Sequence, residues 1–204
     1  GNVKRNTHEN TSWDFAKFEV CHHKWLDVSE EGYGVSVLND CKYGVSVRGT
    51  DIGLSMLKSG IYPNPEADQE HHEFVYSIFP HRGSWKESGT VAQAYELNNP
   101  MKAVVKENQG GSLKESYSLL KTDLENVVIE TVKMGEEDET LVVRLYECFN
   151  KRDRGTLFCG EEIQEVFQCN MLEQEEVPVE HTDHEISFSV KPFEIKTFKI
   201  RLKN

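Results

Sequence analysis

Two stretches decide the fold: VVIETVK at 127–133 and LVVRLYE at 141–147. In the second, Val143, Leu145 and Glu147 alternate with Val142, Arg144 and Tyr146, the period of two that marks a strand. The run GEEDE at 135–139 supplies turn chemistry between them. Working outward, residues 117–121, 155–159, 165–168, 185–190 and 197–202 read as further strands, broken by NKRDRG at 150–155 and by Pro192. The acidic residues 173–176 read as a solvated hairpin. Upstream, GVSVL at 34–38, GVSVR at 44–48 and 52–57 read as strands, and 15–21 is a short mixed apolar segment. EFVYSIF at 73–79 is apolar on both faces, which predicts a central strand. Strands at roughly ten-residue spacing imply sandwiches. One helix is predicted, from Ser88 or Thr90 to Tyr95, on a short stripe of Val91, Ala92 and Tyr95 that Gly89 weakens. ENQGGS at 107–112 reads as a linker, dividing the chain into domains 1–108 and 109–204.

The chain has 204 residues and a net charge of −12. That length is enough to bury a core. The charge argues against nucleic-acid partners and anionic membranes, both of which need a basic face. No apolar run approaches the length of a membrane span. The polar first twenty residues give no secretory signal. Five cysteines, Cys21, Cys41, Cys148, Cys159 and Cys169, are odd in number and lack a CxxC spacing. They read as scattered thiols of a cytoplasmic protein.

No nucleophile elbow, P-loop or dinucleotide fingerprint is present. His181, Asp183 and His184 fall in a polar turn, and an H-x-x-H spacing sends its rings to opposite faces of a strand. The pairs His22–His23 and His71–His72 diverge for the same reason, so no metal site can be read from spacing. LNDCKYG at 38–44 is richer. Asn39, Asp40, Lys42 and Tyr43 offer an amide, a carboxylate, an ammonium and a phenol, a set suited to hydroxyl-rich ligands. The same residues also make an ordinary polar hairpin loop. The residues alone therefore reach a soluble, acidic, all-β protein of two sandwich-like parts.

Longer strings carry more. RNTHENTSWDFAKFEVCHHKWLDVSE at 5–30, GYGVSVLNDCKYG at 32–44, LSMLKSGIYPNPEADQEHHEFVYSIFPHRGSW at 54–85 and AYELNNP at 94–100 resemble segments of the family 38 α-mannosidases of bacterial and cytosolic type. VVIETVK, LVVRLYEC and KPFEIKTFKIR are similar to that family's terminal β-domain. The resemblance covers essentially the whole chain. It implies an all-β fold in which an incomplete supersandwich, galactose mutarotase-like, precedes a small terminal β-sandwich domain. It also implies that the complete enzyme hydrolyses terminal α-linked mannose with retention. The zinc or other divalent metal and the nucleophile would lie in an N-terminal catalytic domain outside this chain. On this reading the chain begins inside the large sandwich and holds no catalytic residue. Its partners would be α-mannoside glycans and its own catalytic domain, and its exposed faces would favour a homo-oligomer. The resemblance makes Asn39, Asp40, Lys42 and Tyr43 the first candidates for sugar contact, and His8, Asn10, Trp13 and Asp14 the second. The rival for that second group is a packed tryptophan beside a polar turn. The rival function is an independent carbohydrate-binding module, with Trp25, Trp85 and Tyr43 as its platform.

Overall fold

A computed structural model describes residues 1–107, 110–111 and 114–203. Part of the expected linker, residues 108, 109 and 112, lies outside the described residues, and so does the boundary placed at 108/109. The chain forms two compact units, Lys4–Glu107 and a second that joins Gly1–Val3 to Asn108–Asn204.

The first unit holds α1 (Ser12–Ala16), β1 (Val20–Cys21), β2 (Trp25–Glu30), β3 (Tyr33–Asn39), β4 (Gly44–Arg48), β5 (Asp51–Ser55), β6 (Tyr76–Arg82) and α2 (Thr90–Asn98). They build two three-stranded antiparallel sheets, ordered β2-β3-β6 and β1-β4-β5. β3 is the central strand of the first and is buried from Ser36 to Asn39. α2 lies against it and buries Thr90, Val91 and Ala94. Gly89 is not inside this helix. It is the residue before the first turn, at φ 73°, a left-handed conformation that glycine adopts without a Cβ penalty.

The stretch expected as a central strand is an edge. β6 starts at Tyr76, three residues later than read, and pairs with β3 alone. Pro80 sits inside it opposite Val35. Proline has no N–H for a second ladder, which an edge position tolerates and a centre does not. The short mixed apolar segment 15–21 holds the end of α1 and, at Val20–Cys21, the two residues of β1. α1 starts on a capping box in which the Thr11 hydroxyl accepts from the Asp14 N–H and Asp14 accepts from the Thr11 N–H.

β2 has a polar interior. Asp27 is enclosed and accepts from His81 Nε2 at 2.7 Å and from the Ser36 hydroxyl at 2.8 Å. Ser36 continues to Thr90 Oγ1 at 2.8 Å. This chain of polar groups ties three strands to the first turn of α2. Buried polar groups persist where partners satisfy them.

The second unit holds β7 (Leu120–Thr122), β8 (Val127–Met134), β9 (Leu141–Glu147), β10 (Asp153–Cys159), β11 (Ile163–Cys169), β12 (Val177–Pro178), β13 (Glu185–Val190) and β14 (Ile195–Leu202). They form two antiparallel sheets, β13-β10-β7 and β12-β11-β14-β9-β8. Leu145, Val166, Phe198 and Ile200 from the larger sheet share one core with Leu157, Ile186 and Phe188 from the smaller. That is a β-sandwich. Full burial of each such side chain contributes roughly 1.5–3 kcal/mol.

The acidic stretch 173–176 is more than a solvated hairpin. Glu173 accepts an ion pair from Lys133 at 2.7 Å, and Glu176 takes Lys199 at 2.6 Å. Lys199 Nζ also reaches Asp138 at 2.7 Å. The Lys199 ammonium, with help from the Thr140 hydroxyl, holds the Asp138 carboxyl at about 2.

Candidate functional site

Residues 40–43 do not close a hairpin. They carry the chain from β3 in one sheet to β4 in the other. A crossover of this kind must be fixed by side chains, because no ladder runs through it. Asn39 does that work. Its Nδ2 donates to His22 Nε2 and to the His23 carbonyl, both at 2.7 Å, and its Oδ1 accepts from the Lys42 N–H at 2.7 Å. His22 then has a defined tautomer. Its Nε2 accepts from Asn39, so the proton sits on Nδ1 and is donated to the Tyr43 carbonyl at 3.1 Å. Burial lowers the His22 pKa, which keeps this neutral form.

Asp40 is committed to the backbone as well. Its Oδ1 accepts from the Val75 N–H at 3.0 Å, and its own N–H donates to the Val75 carbonyl at 3.1 Å. The Cys41 thiol, with the Val75 N–H, holds its carboxyl below the usual range. Asn39 and Asp40 thus build the crossover rather than face solvent-filled space.

Lys42 and Tyr43 do face it. Both line a concavity of about 420 Å³, together with Glu19, Cys21, Asp68 and His72. Lys42 Nζ stands 5.4 Å from the centre of the Phe74 ring. Tyr43 meets the His23 ring edge-on at 5.1 Å, and its hydroxyl donates to the Asp40 carbonyl at 3.2 Å. Glu19 is held by the Ser55 hydroxyl across the β1-β4-β5 sheet. The lining presents two ammoniums, from Lys42 and Lys58, with two carboxylates, a phenol, a hydroxyl, an imidazole and a thiol. It can exchange hydrogen bonds with several hydroxyls at once. Sequence reading did not join Glu19, Asp68 and His72 to this segment; Glu19 comes in beside β1, and Asp68 and His72 come from the one long loop between β5 and β6.

The second candidate group is local to α1. Asp14 accepts from Asn6 Nδ2 at 2.5 Å and from the Thr11 N–H at 3.1 Å, with His8 Nδ1 3.6 Å away. The Asn6 amide, then the Thr11 hydroxyl, holds its carboxyl below the usual range. Trp13 is 78% exposed, so it is not the packed tryptophan of the rival reading. Asn10 is exposed, and none of His8, Asn10, Trp13 or Asp14 lines the concavity. Trp25 and Trp85 lie against each other, half-buried, with ring centres 4.8 Å apart and planes tilted by 34°. Tyr43 is turned to His23 instead, so the three do not make one flat platform.

Among the described residues, no group of three or more His, Cys, Asp or Glu side chains is placed to hold a metal ion. Nor, among the described residues, is any helix long and apolar enough to cross a membrane.

Two family models match the chain. The "Glycosyl hydrolases family 38 C-terminal domain" covers residues 1–66, and the "Glycosyl hydrolases family 38 C-terminal beta sandwich domain" covers 126–198. The chain belongs to the C-terminal region of glycosyl hydrolase family 38. Relatives align along nearly all of it. Alpha-mannosidase 2C1 of Homo sapiens is 38% identical over 209 residues, covering 100% of this chain and 20% of the relative. Alpha-mannosidase G of Dictyostelium discoideum is 37% identical over 205 residues, covering 98% of this chain and 19% of the relative. The alpha-mannosidase of Saccharomyces cerevisiae is 36% identical over 222 residues, covering 98% and 20%. This family 38 region thus spans about a fifth of the length of those relatives. An alpha-mannosidase from Enterococcus faecalis V583 has the same fold over 98% of this chain and 23% of its own, with a TM-score of 0.75 at 20% identity.

Proposed function

We propose that this chain is the non-catalytic C-terminal β-region of a retaining α-mannosidase that hydrolyses terminal α-linked mannose. The observation that carries this reading is continuous alignment along the whole chain with curated alpha-mannosidases, of which it spans about a fifth. Retention requires a nucleophile and an acid/base carboxylate about 5 Å apart. We place both, and the zinc or other divalent metal, in an N-terminal catalytic domain of the longer protein. The β-region packs against that domain and lends the 40–43 crossover to the rim of the sugar pocket. Lys42 and Tyr43 are the contacts to sugar hydroxyls, while Asn39 and Asp40 hold them in place. The compartment is cytoplasmic, consistent with five free cysteines.

The first test is hydrolysis of a chromogenic α-mannoside by the 204-residue chain, with and without added divalent metal. No turnover is expected. Turnover above background would place a complete active site within these residues and overturn the assignment. In the full-length enzyme, replacing Lys42 and Tyr43 together by alanine should lower kcat/KM about tenfold or more, the effect of losing one or two hydrogen bonds to a charged or polar group. Unchanged kinetics would remove the crossover from the pocket rim.

A further inference from the structure

The terminal sandwich carries a second concavity, about 590 Å³, along β10 and β13, with Asp123, the residue after β7, at its margin. Strand register makes it. β10 and β13 pair so that Arg154 stands opposite Ser189 and Thr156 opposite Ser187. Alternation sends Leu157, Ile186 and Phe188 into the core and leaves Arg154, Ser187 and Ser189 exposed outside. The face is therefore a row of hydroxyls flanked by a guanidinium.

Asp123 completes it. Its Oδ1 accepts from the Thr156 N–H at 2.8 Å, which fixes the carboxylate against the sheet and leaves Oδ2 as an acceptor. That approach depends on residue 155. A Cβ on Gly155 would stand 2.5 Å from Asp123 Oδ1 and would also overlap Leu124. A glycine within a strand marks a place where another group comes close to the backbone. Among the described residues, the Arg154 side chain has no hydrogen-bond or ion-pair partner.

We propose that this face is a binding site for a neutral sugar, recognised through a vicinal diol. Asp123 Oδ2 accepts a hydrogen bond from one hydroxyl. The Arg154 guanidinium donates to the oxygen of its neighbour. Ser187 and Ser189 exchange hydrogen bonds with the remaining ring hydroxyls. The fixed carboxylate disfavours an anion, and the set lacks the second cation that a phosphate or sulfate would need. The concavity is shallow and has no deep apolar wall, so affinity is millimolar. This site is independent of the pocket-rim role given to Lys42 and Tyr43, and it can fail or hold without it.

The test uses the 204-residue chain and amide NMR titration with methyl α-mannoside, with sodium sulfate as a separate titrant. Saturable shifts are expected at Asp123, at 154–156 and at 187–189, with a millimolar Kd. Arg154→Ala and Asp123→Asn should each weaken binding about fivefold or more, while amides elsewhere in the spectrum keep their positions. Three results would overturn the proposal. One is the absence of saturable shifts with the sugar. The second is sugar binding that neither variant weakens. The third is sulfate moving these amides while the sugar does not.

Discussion

Glu147, the last residue of β9, is fully buried and carries a carboxylate that faces four N–H donors. Asn126 Nδ2 donates at 3.1 Å, and the N–H groups of Phe149, Asn150 and Phe193 donate at 2.7, 2.9 and 2.9 Å. One side chain thus ties the turn after β9 to the turn before β14. Burial pushes its carboxyl up. The Phe193 N–H, the Asn126 amide and the Phe149 N–H together outweigh burial and hold it below its ordinary value. An unfolded glutamate titrates near 4.3. Below that pH the unfolded chain takes up a proton that the folded chain still refuses, so stability rises with pH across this window. The stabilisation is complete above the unfolded pKa and is lost as pH falls through the lower folded value. Glu147→Gln puts an NH2 among donors and should cost roughly 2–4 kcal/mol at neutral pH. It should also flatten the acid limb of the stability profile. Chemical denaturation at pH 7 and at several values below 5 checks both. An unshifted midpoint would show that the turns are held by the ladders alone.

Strands whose inner face is apolar were legible, and those whose inner face is polar were not. LVVRLYE matches β9 end to end, and GVSVR at 44–48 matches β4. Both follow the period-two rule with aliphatic residues inward or on both sides. β2, WLDVSE, gave no such signal, because its enclosed Asp27 is paid for across the sheet by His81 and Ser36. β6 was displaced by three residues for a related reason. Its apolar run suggested a centre, but Pro80 confines the strand to an edge and leaves Tyr76 and Ile78 exposed. The crossover at 40–43 reads in sequence as a polar hairpin loop, since two GVSV strands so close in sequence suggest direct pairing. They belong to different sheets. The same limit governed the site. Lys42 and Tyr43 could be picked out by side-chain type. The burial of Asn39, the commitment of Asp40 to Val75 and the arrival of Glu19, Asp68 and His72 all depend on tertiary placement, which no local spacing encodes.

At the scale of the whole molecule, the balance between charge and exposed apolar surface decides how the chain behaves in solution. The net charge of −12 favours separation of copies at low ionic strength. Against it stand aromatic and aliphatic side chains that the fold leaves uncovered. Trp13, Phe15 and Phe18 are all exposed within six residues, as are the neighbours Ile61 and Tyr62. Scattered exposed apolar residues are ordinary, but side chains gathered in short stretches favour association. The Debye length shortens from about 10 Å at 0.1 M salt to about 3 Å at 1 M. Salt therefore removes the repulsion and leaves the apolar attraction intact. We predict that the chain self-associates, weakly at low salt and more strongly at high salt. Sedimentation velocity across a range of concentrations reads this directly. Replacing Trp13, Phe15 and Phe18 by serine touches no buried side chain and should return the distribution to monomer at every salt concentration. A wild-type chain that stays monomeric in high salt would mean that these side chains are too dispersed to act as a surface, and the expectation of a homo-oligomer would fall with it.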